Sequence, residues 1–189
     1  MQMFKVFRDN LTHYNHKYTL GLNTLVGDFD PTRECMPGGF YVCDAKHIWR
    51  FIGYGRKLGF IELPSDTRTY PQPGCLKVDK LIVVKIMDLL KYEHIKQVFI
   101  DAATNNGMLI KHIPVDFKTS QIYDLAAKSA GYSLQHFPPE EITYARCVDA
   151  VKQNGCALQY VPDELRDQNI CDIAIAQDEY AVNYIKKLR

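Results

Sequence analysis

The sequence predicts a small α+β domain over residues 1–85, followed over 86–189 by an all-α solenoid of four 24-residue helix-turn-helix repeats. Three observations predict this. Gly107, Gly131 and Gly155 recur every 24 residues, and Pro114, Pro138 and Pro162 keep the same step. Ala102, Ala126, Ala150 and Ala174 fill one column of that register. Residues 1–85 show no period and alternate short β-prone runs with Gly- and Pro-rich stretches. A fixed period in this size range marks a repeat array.

The elements of the first part follow from local pattern. Phe4-Lys5-Val6-Phe7 reads as a strand, and His16 to Leu22 as a second one ending near Gly21. Asp28 to Gly39 holds Pro31, Pro37, Gly38 and Gly39 and reads as a loop. Gly39 to Cys43 is a strong strand. Asp44 then caps a helix through Ile52, with Ile48, Phe51 and Ile52 on one apolar face and Gly53 or Gly55 beyond it. Lys57 to Leu63 and Val78 to Val84 complete the strands, separated by a turn at Pro64-Ser65-Asp66.

The repeats lie near 95–118, 119–142, 143–166 and 167–189. Thr119, Thr143 and Asp167 share the column expected of a helix cap. Cys147, Ala150 and Val151 stand at i, i+3 and i+4, one face of a helix of about ten residues. Asn154 reads as a last-turn residue, and Gly155 as a left-handed residue closing the helix. A shorter helix follows in each repeat, and the proline stops it. Phe99, Ala102, Ala103, Ile110 and Ile113 return as Cys147, Ala150, Val151, Leu158 and Val161, and finally as Cys171, Ala174, Ile175, Val182 and Ile185. One repeat cannot bury such a face, whereas stacked neighbours can. The last repeat has Glu179 for glycine and Lys186 for proline, so its turn is expected to differ. Lys186 to Arg189 forms a polar end. Ile86 and Leu89 align with Ile110 and Ile113, which places half a repeat at the start.

The string Ala150-Val151-Lys152-Gln153-Asn154-Gly155-Cys156-Ala157-Leu158-Gln159-Tyr160-Val161-Pro162 resembles helical repeats of unknown function found in giant DNA viruses, intracellular bacteria and protists. The first part also carries a resemblance. Gly21-Leu22-Asn23, Cys35-Met36-Pro37-Gly38-Gly39-Phe40-Tyr41, Asp44-Ala45-Lys46-His47-Ile48, Tyr54-Gly55 and Ile61-Glu62-Leu63-Pro64 come in the order of a known domain. It is similar to the amino-terminal domain that precedes ankyrin repeats in giant-virus proteins. Together these resemblances imply a viral protein, intracellular in the host cytoplasm or packed in the virion. They bring no activity and no cofactor.

Composition bounds the function. Hydrophobic residues make up 47% and the net charge is +1. Residues 1–94 carry +3 and residues 95–189 carry −2, so neither part is a polycationic nucleic-acid surface. No run is long enough to span a bilayer, and Met1 to Val6 lacks a signal-peptide core. The six cysteines show no CxxC pair and fit apolar packing in a reducing compartment. His13 and His16, with Asp9 and Asp28 nearby, lack the spacing of a metal site. His112 and His136 share a column with Tyr160 and Tyr184, which suits structural stacking. The strand ending in Gly-Phe-Tyr before a helix resembles ADP-ribosyltransferase-like folds and would offer His13, Tyr41, His47 and Glu62, without the matching His-Gly or glutamate motif.

Trp49, Arg50, Phe51, Tyr54, Arg56 and Lys57 interleave aromatic and basic groups, a pattern that can stack bases but also suits a solvated helix end. The sequence is therefore read as a non-enzymatic module for a protein partner. A structural virion component and a nucleotide-binding enzyme are the alternatives. The predicted contact positions are Met108, Lys111, Tyr132, Gln135, Cys156 and Gln159, beside the basic–aromatic cluster.

Overall fold

The computed structural model describes residues 2–32 and 37–185. Cys35 and Met36 of the quoted strings, and the polar end Lys186 to Arg189, lie outside the described residues. The chain divides into two compact units, Met1–Val98 and Phe99–Arg189. Strands fill the first and helices the second.

Among the described residues the amino-terminal unit has nine strands. They are β1 (Met3–Phe7), β2 (Thr12–His13), β3 (His16–Lys17), β4 (Gly21–Thr24), β5 (Phe40–Val42), β6 (Lys57–Glu62), β7 (Thr69–Gln72), β8 (Cys75–Val78) and β9 (Lys80–Asp88). One antiparallel sheet has the order β1-β6-β9-β4, a second has β5-β8-β7, and β2 pairs only with β3. Paired Phe4 and Cys43 backbones bridge the two larger sheets at 2.7 and 2.9 Å. Met3, Phe7, Tyr18, Phe40, Val42, Ile61, Val78, Leu81 and Val83 form the core, drawn from both sheets. All five residues of β1 are buried, because both of its faces are covered.

Several expectations change here. The run from His16 to Leu22 breaks into β3 and β4, because Gly21 takes φ +86° and the Asn23 side chain bonds the backbone of Thr19 and Gly21. The helix after Asp44 is a 3-10 helix, Ala45–Phe51, and Asp44 gives it no side-chain cap. The Asp44 carboxylate instead sits 2.6 Å from His47 Nδ1. β7 and β8 had no counterpart in the sequence reading, because Pro71 and Pro73 interrupt the β-prone pattern there. Pro71 is tolerated because β7 is an edge strand. β9 runs on to Asp88, with Ile86 paired to Gly59 and Leu89 in a 3-10 helix. Residues 86–89 are thus part of the strand unit and its exit, and they form no half repeat.

The carboxy-terminal unit shows one order of elements returning along the chain. α1 (Ile95–Asn105), α2 (Ser120–Ser129), α3 (Tyr144–Gln153) and α4 (Gln168–Gln177) are each followed by a 3-10 helix: Gly107–His112, Gly131–His136, Gly155–Tyr160 and Glu179–Tyr184. The second helix is 3-10 in every case rather than α. After each proline comes another 3-10 turn, Val115–Phe117, Pro139–Glu141 or Asp163–Leu165, where a plain link was expected. The caps fall where the column placed them. Thr119 Oγ1, Thr143 Oγ1 and Asp167 Oδ1 accept from Ile122 N, Arg146 N and Ile170 N.

The alanine column is fully buried, at 0% exposure for Ala102, Ala126, Ala150 and Ala174. α3 packs on α2, and α4 on α3. Buried Arg146 ties neighbours together: its guanidinium donates to Asp124 Oδ1 (2.7 Å), Ser120 Oγ (2.6 Å) and Glu141. Cys147 and Cys171 are buried free thiols, and burial pushes the Cys147 thiol up to about 11.

The glycines have a different cause from the one expected. None of Gly107, Gly131 and Gly155 has a positive φ. A Cβ at each would overlap the backbone carbonyl oxygen of Ala126, Ala150 or Ala174, one step further along. Glycine is needed because the next helix comes too close for a side chain. Gln153 Oε1 accepts from Gly131 N at 2.6 Å, and Gln177 accepts from Gly155 N. Asn154 is the cap of the following 3-10 helix, accepting from Cys156 N, rather than a last-turn residue. The turn before Glu179 keeps the shared geometry, with Asp178 at φ −150° against −152° for Asn154. Val182, grouped with the buried face on sequence, is 56% exposed, and Ile175 and Ile185 are half-buried. Among the described residues no later helix covers them.

Candidate functional site

In the carboxy-terminal unit the 3-10 helices after α1 to α4 carry the contact positions read from sequence. Lys111, Tyr132, Gln135 and Gln159 are exposed, and Met108 and Cys156 are half-exposed. The period is what places them, since each occupies the second or fifth residue of its 3-10 helix. Two further members of these columns were missed: Tyr180, 67% exposed, and Asn183. Adding 24 to Cys156 and Gln159 would have found them.

The polar column is ordered by its own turns. Gln135 Nε2 donates to Tyr132 O at 2.9 Å, Gln159 Nε2 to Cys156 O at 3.0 Å, and Asn183 Nδ2 to Tyr180 O at 3.0 Å. Tyr132 and Tyr160 meet edge to face at 5.9 Å, so the ring contact crosses between two columns instead of running down the His112–Tyr184 one. Cys156 Sγ donates to Asp178 Oδ2 at 3.3 Å, and burial with that carboxylate raises its pKa. Burial lowers the pKa of His112 and His136, so both are neutral at pH 7. The result is an ordered ridge of aromatic and amide side chains with Lys111 at one end.

In the amino-terminal unit a cavity of about 160 Å³ opens between β1, β5 and the 3-10 helix Ala45–Phe51. Arg50, Phe51 and Tyr54 of the basic–aromatic cluster line it. Trp49, Arg56 and Lys57 do not. Arg50 lies over the Trp49 ring at 5.8 Å, and Arg56 sits 4.0 Å from Asp88. His13 and Tyr41 also line the cavity, whereas His47 pairs with Asp44 and Glu62 is exposed on β6. The four groups offered for transferase-like chemistry are therefore not brought together. Burial pushes His13 down to about 4. The cavity also contains Lys5, which the sequence reading left as a strand residue. A lysine inside an otherwise apolar strand was the available signal. No group of three or more metal-ligating side chains stands together among the described residues.

The family model described as Domain of unknown function (DUF4116) matches residues 147–189. Over 119 residues, 57% of this chain, it is 34% identical to a protein of Acanthamoeba polyphaga mimivirus named "Putative ankyrin repeat protein". Over 65 residues, 33% of this chain, it is 37% identical to an uncharacterized protein of the same virus. The relatives are viral. The matches cover 36% and 47% of those two proteins, so the chain spans between a third and a half of their length. No solved structure matches it. These likenesses support a giant-virus origin. No helix among the described residues is long and apolar enough to cross a membrane.

Proposed function

We propose that this chain is a non-enzymatic protein-interaction module of viral origin that acts in the host cell. In this reading the carboxy-terminal unit is a solenoid of four like repeats, and its ridge of 3-10 helices meets the partner. One observation carries the reading: the same two positions of each 3-10 helix present exposed or half-exposed side chains on a recurring backbone, Met108, Tyr132, Cys156 and Tyr180 at one and Lys111, Gln135, Gln159 and Asn183 at the other. Stacked repeats offer extended surfaces of this kind. Tyrosine suits such a surface because it supplies large contact area at small entropy cost. The ankyrin-repeat names of the relatives support a protein partner.

The test is site-directed photocrosslinking in amoebal lysate. A photoreactive residue replaces Tyr132 or Gln159, and in controls the exposed Lys128 or Lys152 of α2 and α3. One and the same protein is expected to be captured at both ridge positions and at neither control. Capture of equal yield at all four, or of unrelated proteins at the two ridge positions, contradicts the reading. If the captured protein is a particle component, the partner lies in the virion.

A further inference from the structure

Lys5 is buried on the core side of its strand. It alternates with Met3 and Phe7, both members of the core, and is only 6% exposed. Its Nζ donates to Tyr41 O at 3.0 Å and lies 5.0 Å from the centre of the Tyr18 ring and 5.8 Å from that of Phe7. A carbonyl and two ring faces soften a buried charge but do not neutralise it. Among the described residues no carboxylate lines the cavity that Lys5 faces, and Arg8 and Arg50 add two more cations to its wall. Gln72, from β7, places a buried amide nitrogen in the same wall with no hydrogen-bond partner among the described residues. Two residues with buried donors thus line one void whose wall carries an excess of positive charge.

The void has a suitable size and lining. Its volume of about 160 Å³ is close to the roughly 150 Å³ cavity that accepts a single benzene ring. Phe4, Phe51 and Tyr54 supply apolar wall, and Tyr54 is 42% exposed at its edge.

We propose that this cavity is a binding site for a small planar organic carboxylate, with the carboxylate on Lys5 and Gln72 and the ring against the aromatic wall. The site lies within the amino-terminal unit and does not depend on the docking ridge. Burial pushes the Lys5 amine down to about 8, so it remains mainly cationic at pH 7. Of the titratable groups around it, His13 is held neutral at that pH and the buried Cys43 thiol, pushed up to about 12, stays protonated.

Calorimetric titration of the full chain with benzoate, benzamide and inorganic phosphate tests this. Benzoate is expected to bind at one site at pH 7, at least tenfold tighter than benzamide or phosphate. Lys5→Met is expected to weaken benzoate at least tenfold, and Gln72→Leu severalfold. On the unaltered chain, benzoate affinity is expected to fall about tenfold as pH rises from 7 to 9.5, which keeps the test open should the Lys5 variant not fold. No benzoate binding, equal binding of benzamide or phosphate, or a pH-independent affinity overturns the proposal.

Discussion

Glycine serves one end in the helical repeats and two in the strand unit, where Gly39, Gly55 and Gly59 also make room for a neighbour. In the strand unit Gly21, Gly27, Gly38 and Gly74 hold positive φ values, from +73° to +99°, and answer to the backbone itself. In the helical unit Gly107, Gly131 and Gly155 have ordinary dihedrals and answer to a neighbour, the carbonyl of the next buried alanine. The first kind of demand is local and leaves no period. The second arises wherever one segment is laid against its successor, so it recurs with the segment. A periodic glycine therefore reports a packing seam, whereas a scattered one reports either a turn or a single close approach, as at Gly55, where a Cβ would overlap the Phe7 carbonyl oxygen.

Substitutions can break this comparison. Gly131→Ala should cost about 3 kcal/mol in urea unfolding, because backbone must move to admit the methyl group. Lys5→Met acts in the other direction in the strand unit. The folded amine, at about 8, lies below its ordinary 10.5. The unfolded chain thus holds the proton more tightly, and stability rises with pH between those values. Lys5→Met should stabilise the protein by about 1–2 kcal/mol at pH 7, and that gain should vanish above pH 10.5. Gly27→Ala meets open space and bears only the dihedral cost, about 1 kcal/mol. Glu179→Ala should stay within about 0.5 kcal/mol, since Glu179 is exposed in a turn of the shared geometry. A Glu179→Ala loss as large as that of Gly131→Ala would break the distinction.

How much was legible follows from the same physics. The helical columns were readable because every seam repeats its requirements: a small residue where helices touch, a capping oxygen, and a proline beyond the second helix. The reason for the glycine was not readable, since spacing alone does not separate a dihedral demand from a steric one. Nor was the 3-10 character of the second helices. In the strand unit, β1, β5 and β6 were evident from their apolar runs. β7 and β8 were hidden by Pro71 and Pro73, and β9 was cut short at 84. The cavity as such was not foreseen, although His13, Tyr41, Arg50 and Tyr54 of its wall had been singled out in two separate readings. Its wall is drawn from residues 4–8, 13–14, 41–43, 50–54 and 72–75, which only strand pairing brings together. The ridge was visible, short of Tyr180 and Asn183, because it inherits the period.

The glycine column exists to admit the adjoining helix. Amide hydrogen exchange of Gly131→Ala against the unaltered chain tests it most directly. Buried amides on both sides of the seam, 122–127 and 146–151, are expected to exchange about a hundredfold faster. Acceleration limited to residues 129–133, or none, would show that the glycine answers to its own turn and that the seam does not need it.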